Sequence, residues 1–489
     1  MLFFINAVTM AKALPMSLPM DTPADFKANN PFLFTLTFVL SMSPSQDERN
    51  EILHESGQKE YYRIFLSKKK NIACLGFCAG FILSTILAFT AYVFSQGYWM
   101  LQDIIDEHPN QEIGSNIEIQ NGHCQRRMIV YHDLLADRKV TESQLFNVTH
   151  LILLPIEVES SGALKFRNGQ EEMRFKKIVE KFSKTQHLKK MFSLTEVSEK
   201  GQAKFKNAIR NPESRKILLN LVIAFIIEHH LDGVDVNWTR IGSGTDLEIL
   251  TSFCVDLRDK LNNLAVQTKR KNPFVISVVL PAKKTQWDFD GILKHIDFLT
   301  IMTNAYYGSF LSEFIQFTGP LSPLYSKQSE SPEKNVDYSM KRYSCATKQP
   351  TKLNIMVEFQ GKYWENVIKP KNPTETLWLT AEPINGSIRK AGLQWKDLAK
   401  NGWNVSAAAW NNDARTPYIW KPDERKYLAF ENPRSLKEKI NYAIDKNIGG
   451  LAVWRIDSDD DENTMLKTLS SGDWCVADNN SNAVNFNCT

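Results

Sequence analysis

The 489-residue sequence lacks the marks of several protein classes. No zinc-finger, P-loop or EF-hand spacing occurs, so the metal and nucleotide chemistries tied to those motifs find no support. No long basic tract is present, and a net charge of +4 is too weak to argue for nucleic acid as a partner. The seven cysteines are scattered rather than clustered, which leaves no tight metal site. Nothing in the chain calls for a cofactor.

What is present begins with an apolar run over residues 72–95, IACLGFCAGFILSTILAFTAYVFS, which contains no charged residue. Its length matches the ~20 residues a helix needs to cross a bilayer. Lys68, Lys69 and Lys70 precede it, while Asp103, Asp106, Glu107 and Glu112 follow. The positive-inside rule therefore predicts a single-pass membrane protein with a cytoplasmic N-terminus and an extracellular or luminal remainder. Residues 1–71 read as a disordered cytoplasmic segment, residues 96–122 as a stalk and residues 471–489 as a C-terminal tail. The apolar stretch 32–42 is too short to span, and Met42 is a second candidate start of translation, which leaves residues 1–41 in question.

Cys74 and Cys78 lie within the apolar run. Cys124, Cys254, Cys345, Cys475 and Cys488 follow it, an odd number on a side where disulfides are allowed. Their connectivity is open. Asn147, Asn385, Asn404, Asn479 and Asn487 begin glycosylation sequons on that same side. Asn237 does too, but the expected strand there shields it.

From about residue 123 to 470, apolar strand-like runs alternate with helical patterns. The runs fall at 128–131, 150–156, 188–194, 233–238, 274–280, 298–303, 353–359 and 450–456. The helical pattern at 213–230 places Ile217, Leu218, Leu221, Val222 and Phe225 on one face. Eight strands separated by helices predict an α/β fold, a (β/α)8 TIM barrel. The long segment 363–422 predicts a small α+β insertion after the seventh strand.

The chemistry concentrates on Asp232-Gly233-Val234-Asp235-Val236-Asn237-Trp238-Thr239. Alternate side chains of a strand share a face, so Asp235, Asn237 and Thr239 point one way and Val234, Val236 and Trp238 the other. In a barrel of this kind, the C-terminal strand ends face the ligand.

This segment resembles the D-G-x-D-x-D-x-E strand of glycoside hydrolase family 18, the chitinases and chitinase-like proteins. Further resemblances follow in order. They are Asp297 to Thr303, Thr318-Gly319 with Ser322-Pro323-Leu324-Tyr325, Asn335-Val336-Asp337-Tyr338, Asn432-Pro433-Arg434-Ser435-Leu436, and Gly449-Gly450-Leu451-Ala452-Val453-Trp454. The apolar run ahead of such a barrel is most similar to nematode chitinase-like proteins.

The resemblance implies a substrate-assisted mechanism in active members, in which the Glu protonates the leaving oxygen and the Asp two residues before it orients the N-acetyl group. Here Thr239 stands at the acid and Asn237 at its partner. A hydroxyl is too weak an acid for the task, and loss of general acid catalysis costs ~10²–10⁴ in rate. Met302-Thr303-Asn304-Ala305 replaces M-x-Y-D, Gln360 replaces a Tyr before Gly361, and Ser193-Leu194-Thr195-Glu196 replaces S-x-G-G. No catalytic residue is assigned.

The resemblance implies instead a non-catalytic protein that binds chitin or related N-acetylglucosamine glycans. Trp454, Asn237, Met302, Asn304 and Gln360 are its candidate ligand-binding residues. Trp364, Trp378, Trp410 and Tyr418 read as packing aromatics, Asp232 and Asp235 as structural carboxylates, and the run 457–462 as a solvated loop and helix start. The alternatives are an interaction scaffold without sugar binding, or a weak hydrolase with a relocated acid. Glu196, Glu248 and Glu358 are the carboxyls available for that role, with Glu358 placed best, near the end of the seventh strand.

Overall fold

A computed structural model describes residues 126–488, apart from 196–197, 240, 242–243, 284–288, 305, 308–315, 327–331, 371–375, 473 and 475–482. The expected anchor at 72–95 and its flanks lie outside the described residues. Among the described residues, no helix is long and apolar enough to cross a membrane.

The first eight strands are β1 (Arg127–Asp133), β2 (His150–Val158), β3 (Leu164–Lys165), β4 (Lys189–Thr195), β5 (Gly233–Asn237), β6 (Val275–Pro281), β7 (Phe298–Met302) and β8 (Leu353–Glu358). After them come β9 (Gln360–Trp364), β10 (Lys390–Gln394), β11 (Ala409–Asn411), β12 (Thr416–Lys421), β13 (Lys426–Phe430) and β14 (Gly450–Trp454). β1, β2, β4, β5, β6, β7, β8 and β14 pair in parallel, and β1 hydrogen-bonds both β2 and β14, so the sheet closes into a barrel. Each of the eight expected strands is present, with ends shifted by at most two residues.

Both faces of the strands are buried, the outer one apolar and the inner one mixed with polar side chains. Val234, Val236 and Trp238 pack outward with Phe205 and Phe253 of the surrounding helices. Ile129, Tyr131, Ile152, Met191, Phe298, Met356 and Ala452 form a separate cluster that fills the barrel interior.

The helices are α1 (Glu142–Leu145), α2 (Gly169–Lys181), α3 (Glu199–Arg210), α4 (Pro212–Glu228), α5 (Gly244–Gln267), α6 (Phe289–Leu293), α7 (Val336–Thr347), α8 (Trp395–Leu398), α9 (Pro433–Asp445) and α10 (Thr464–Ser470). Asn168, Ser198, Asn211, Asn335 and Asn432 cap helix N-termini through their side chains. Pro212 and Pro433 begin two of these helices, where a missing N–H costs nothing.

The α4 face departs from expectation. Leu218, Leu219, Val222 and Ile226 are buried, whereas Ile217 and Leu221 are 46% and 37% exposed. The helix is apolar nearly all round, so periodicity did not select the inward stripe. The acidic run departs as well. Asp457 and Asp459 are buried, and Asp459 accepts from the backbone N–H groups of Met465 and Leu466 at the start of α10. The helix start was foreseen, but burial of its carboxylate was not.

Between β8 and β14 the chain builds a second sheet, antiparallel, in the order β10-β9-β13-β12-β11. β8 runs into β9 through the buried Phe359. The fully buried Lys439 donates to Glu431 at 2.7 Å, and Ser435 donates to the same carboxylate at 2.5 Å. Cys345 on α7 is bonded to Cys488, which ties the tail to the barrel. Cys254 is a buried thiol.

Candidate ligand site at the barrel mouth

The interior is layered by strand alternation. In the lower layer, Arg127 donates to Asn354 at 3.0 Å and lies over the ring of Phe298, which meets His150 edge-on. Above it sits Asp235, fully buried. Ser193 and Ser277 donate to it at 2.7 and 2.6 Å, and the Tyr131 hydroxyl approaches at 3.4 Å. Burial pushes this carboxyl up to about 6 despite those three hydroxyls. Every oxygen of Asp235 is thus engaged by the barrel itself.

The top layer faces the mouth and carries Asn237 from β5, Met302 from β7, Glu358 from β8 and Trp454 from β14. Glu358 and Trp454 are direct neighbours in the parallel register. The Trp454 ring is half-buried and leans on Tyr131, with centroids 5.3 Å apart. Met302 packs against the same interior cluster. Asn304, just past β7, donates to Glu358 Oε2 at 3.3 Å. Lys362 Nζ stands 3.9 Å from Glu358 Oε1. Burial raises the Glu358 carboxyl to about 7, with Lys362 and Asn304 pulling the other way.

Three acceptor oxygens of this layer are buried without a hydrogen-bond partner: Asn237 Oδ1, Asn304 Oδ1 and Glu358 Oε1. A ligand that offers hydroxyl or amide hydrogens matches them.

Thr239 is the residue that the sequence resemblance aligns with the acid. Thr239 is half-buried beyond the end of β5, and its backbone N–H donates to Gln202 at 3.1 Å. Glu248 is exposed on α5, outside the barrel interior. Glu196 and Ala305 lie outside the described residues. Gln360 opens the second sheet, opposite Gln394, and its side chain lies near Gly392 at the seam with the barrel.

Asp232 sits at the opposite end of β5. It accepts from Lys190 N at 2.8 Å and Arg270 at 2.7 Å. Trp364 is buried beside Tyr427, Tyr418 stacks on Tyr427, and Trp410 carries Arg434 over its face. Trp378 meets Tyr307 edge-on at 4.5 Å. These four aromatics pack within the second sheet or against the loops beside it.

Residue spacing alone did not indicate the hydroxyl set around Asp235. Tyr131, Ser193 and Ser277 come from three different strands, and only their shared inward parity, read strand by strand, signals it.

Comparison with known proteins agrees with this geometry. Residues 127–459 match the family model "Glycosyl hydrolases family 18". The probable chitinase 10 of Drosophila melanogaster is 24% identical over 284 residues, covering 53% of this chain and 12% of that protein. The chain spans well under two thirds of the length of such curated relatives. The crystal structure of Ostrinia furnacalis Group IV chitinase superposes with a TM-score of 0.59 at 21% identity, covering 71% of this chain and 99% of that one. Human YKL-39, described as a pseudo-chitinase with retained chitooligosaccharide binding properties, superposes with a TM-score of 0.58 at 19% identity, covering 71% and 96%.

Proposed function

This chain belongs to glycosyl hydrolases family 18, and from that premise we propose that it is a non-catalytic, chitinase-like protein that binds chitin or related N-acetylglucosamine glycans at the barrel mouth. The carrying observation is Thr239 at the position of the acid, held by its backbone to Gln202, while Trp454 keeps its ring on the mouth beside Tyr131. A threonine hydroxyl does not protonate a leaving oxygen at physiological pH. An indole face packs well on the apolar face of a pyranose. Asn237 and Asn304 supply acceptors for its hydroxyl or amide groups.

The barrel is displayed on the extracytoplasmic side of a membrane, anchored by residues 72–95. The charge asymmetry around that run supports this placement, as does the Cys345–Cys488 bond, which suits an oxidising compartment. A pull-down of the full-length chain on chitin beads tests the binding. Retention that Trp454→Ala abolishes is expected, and equal loss of both to the wash sinks it.

One observation favours a second reading, a weak hydrolase with a relocated acid. Glu358 is a mouth carboxyl held near neutrality, the range a general acid requires. It sits beside Trp454, level with the floor of the site, rather than on β5 where the leaving oxygen is expected. Turnover of a fluorogenic chitobioside that disappears in Glu358→Gln is the result that favours this reading.

A further inference from the structure

The end of the barrel opposite the mouth collects positive charge. The eight barrel strands are parallel, so all begin at one end. Lys184 and Lys189 precede or open β4 there, Lys269 and Lys271 precede β6, Lys294 precedes β7 and Lys348 precedes β8. Five of the six are exposed, and Lys189 is half-buried.

Among the described residues, none of the six is paired with an acid, while acids at this end are already engaged. Asp232 pairs with Arg270 at 2.7 Å, Asp297 with Arg258 at 2.6 Å and Asp445 with Lys446 at 2.9 Å. Glu180 and Glu228, on the last turns of α2 and α4, leave the balance positive. One buried group registers the same field. His150 is pushed down to about 3 by burial and then by Arg127 and Lys189. Lys352 is lowered by burial, with Asp297 raising it and Arg127 and Arg258 lowering it, so it reports burial rather than the field of the rim.

Lysines at helix C-termini also offset the helix dipole. That accounts for part of the charge, since each of the five long helices ending here (α2, α4, α5, α7 and α9) contributes about half a unit. The sum is less than half of the six unpaired lysines. The rim offers charge without a continuous apolar patch. Val266 on α5 and Phe146 after α1 are exposed but belong to different sectors of the barrel.

We infer that this basic rim is a docking surface for an anionic polysaccharide, whose sulfate or carboxylate groups bridge several lysines at once. Lysine is a compact point charge on a flexible stem, suited to irregularly spaced anions rather than to one bidentate group. A sulfated chain fits better than a bilayer, because the inference rests on the extracytoplasmic placement proposed above and negative lipid is concentrated in the cytoplasmic leaflet. It does not rest on sugar binding at the mouth.

The probe is heparin immobilised on agarose, with full-length protein eluted by a salt gradient. The test variant carries Lys184→Glu, Lys189→Glu, Lys269→Glu and Lys271→Glu. The control carries the same reversals at Lys139, Lys200, Lys216 and Lys400, which are exposed away from this end. Wild type and control are expected to elute together at high salt and the test variant at lower salt, because the contacts it loses are screened charge contacts. Matching melting temperatures exclude misfolding, and Lys→Gln replacements at the same four positions serve if reversal unfolds the chain. Co-elution of wild type and test variant overturns the inference. So does binding of phosphatidylserine vesicles, lost in the test variant, with none to heparin. Chitin binding that persists while heparin binding fails removes this inference alone, and heparin binding without chitin binding removes the mouth reading alone.

Discussion

The Asn304 side-chain amide donates to Glu358 Oε2 at 3.3 Å, inside the mouth and next to Trp454. Glu358 is therefore a buried carboxyl with one amide donor and the Lys362 ammonium at 3.9 Å. Its folded value of about 7 lies above the ordinary 4.5, so the folded state holds the proton more tightly than the unfolded chain. The resulting stabilisation is full below pH 4.5 and is lost as pH rises through 7. The change amounts to about 3 kcal/mol. Glu358→Gln is expected to remove that pH dependence and to leave the barrel more stable than wild type at pH 8. The check is the difference between the two proteins in urea unfolding at pH 5 and pH 8. A difference is needed because His132 and His150, depressed by burial to about 4 and 3, act in the opposite direction below pH 6.5. An unchanged pH profile in the variant contradicts the assignment.

Trp454→Ala is expected to weaken binding of chitooligosaccharides at least about tenfold, the ~1.4 kcal/mol that one aromatic face supplies. Isothermal titration calorimetry at pH 7 measures it. Trp364→Ala, which opens the core of the second sheet, is expected to lower stability with little direct effect on the mouth.

Asp235→Ala is expected to destabilise the barrel by about 3 kcal/mol. It leaves the Ser193 and Ser277 hydroxyls buried without their acceptor, at about 1–3 kcal/mol each. Asp235→Asn, which keeps the shape and an acceptor oxygen, is expected to cost less. Thermal unfolding by circular dichroism separates the two.

Asn237→Asp combined with Thr239→Glu is expected to yield no turnover of a fluorogenic chitobioside above the buffer rate. The two changes restore the acid and its neighbour on β5, but Asn304, Ala305 and Gln360 remain as they are. Recovery of activity by the pair alone contradicts the view that the site is altered on several strands.

Cys345→Ser is expected to cost about 2–5 kcal/mol, as loss of a native disulfide does. The released tail also gives up the contact of Phe486 with Tyr442 and the Asn447 bond to the Ala483 carbonyl. Non-reducing and reducing melts of wild type and variant measure it, with reductant expected to lower the melting temperature of wild type more than that of the variant.

The barrel was legible because its strands are short apolar runs at regular spacing, and both faces of each are buried. The motif positions at Asp235 and Asn237 were legible because strand parity alone sets their direction, whereas Thr239 lies beyond the end of β5. The inward stripe of α4 was not, since an all-apolar helix carries no phase. Burial of Asp457 and Asp459 was hidden by a run that reads as hydrophilic, although backbone N–H groups from α10 satisfy Asp459. Glu358 was identifiable by type and place. Its pairing with Asn304 depends on contact between β8 and the segment after β7, which no local pattern encodes.

Native mass spectrometry of the full-length chain with chitohexaose tests the central claim most directly, because it reads occupancy and ligand mass together. The account predicts a saturable one-to-one complex whose sugar keeps its full mass after prolonged incubation and whose occupancy collapses in Trp454→Ala. Shorter sugars accumulating with time, or no complex at any concentration, would contradict it.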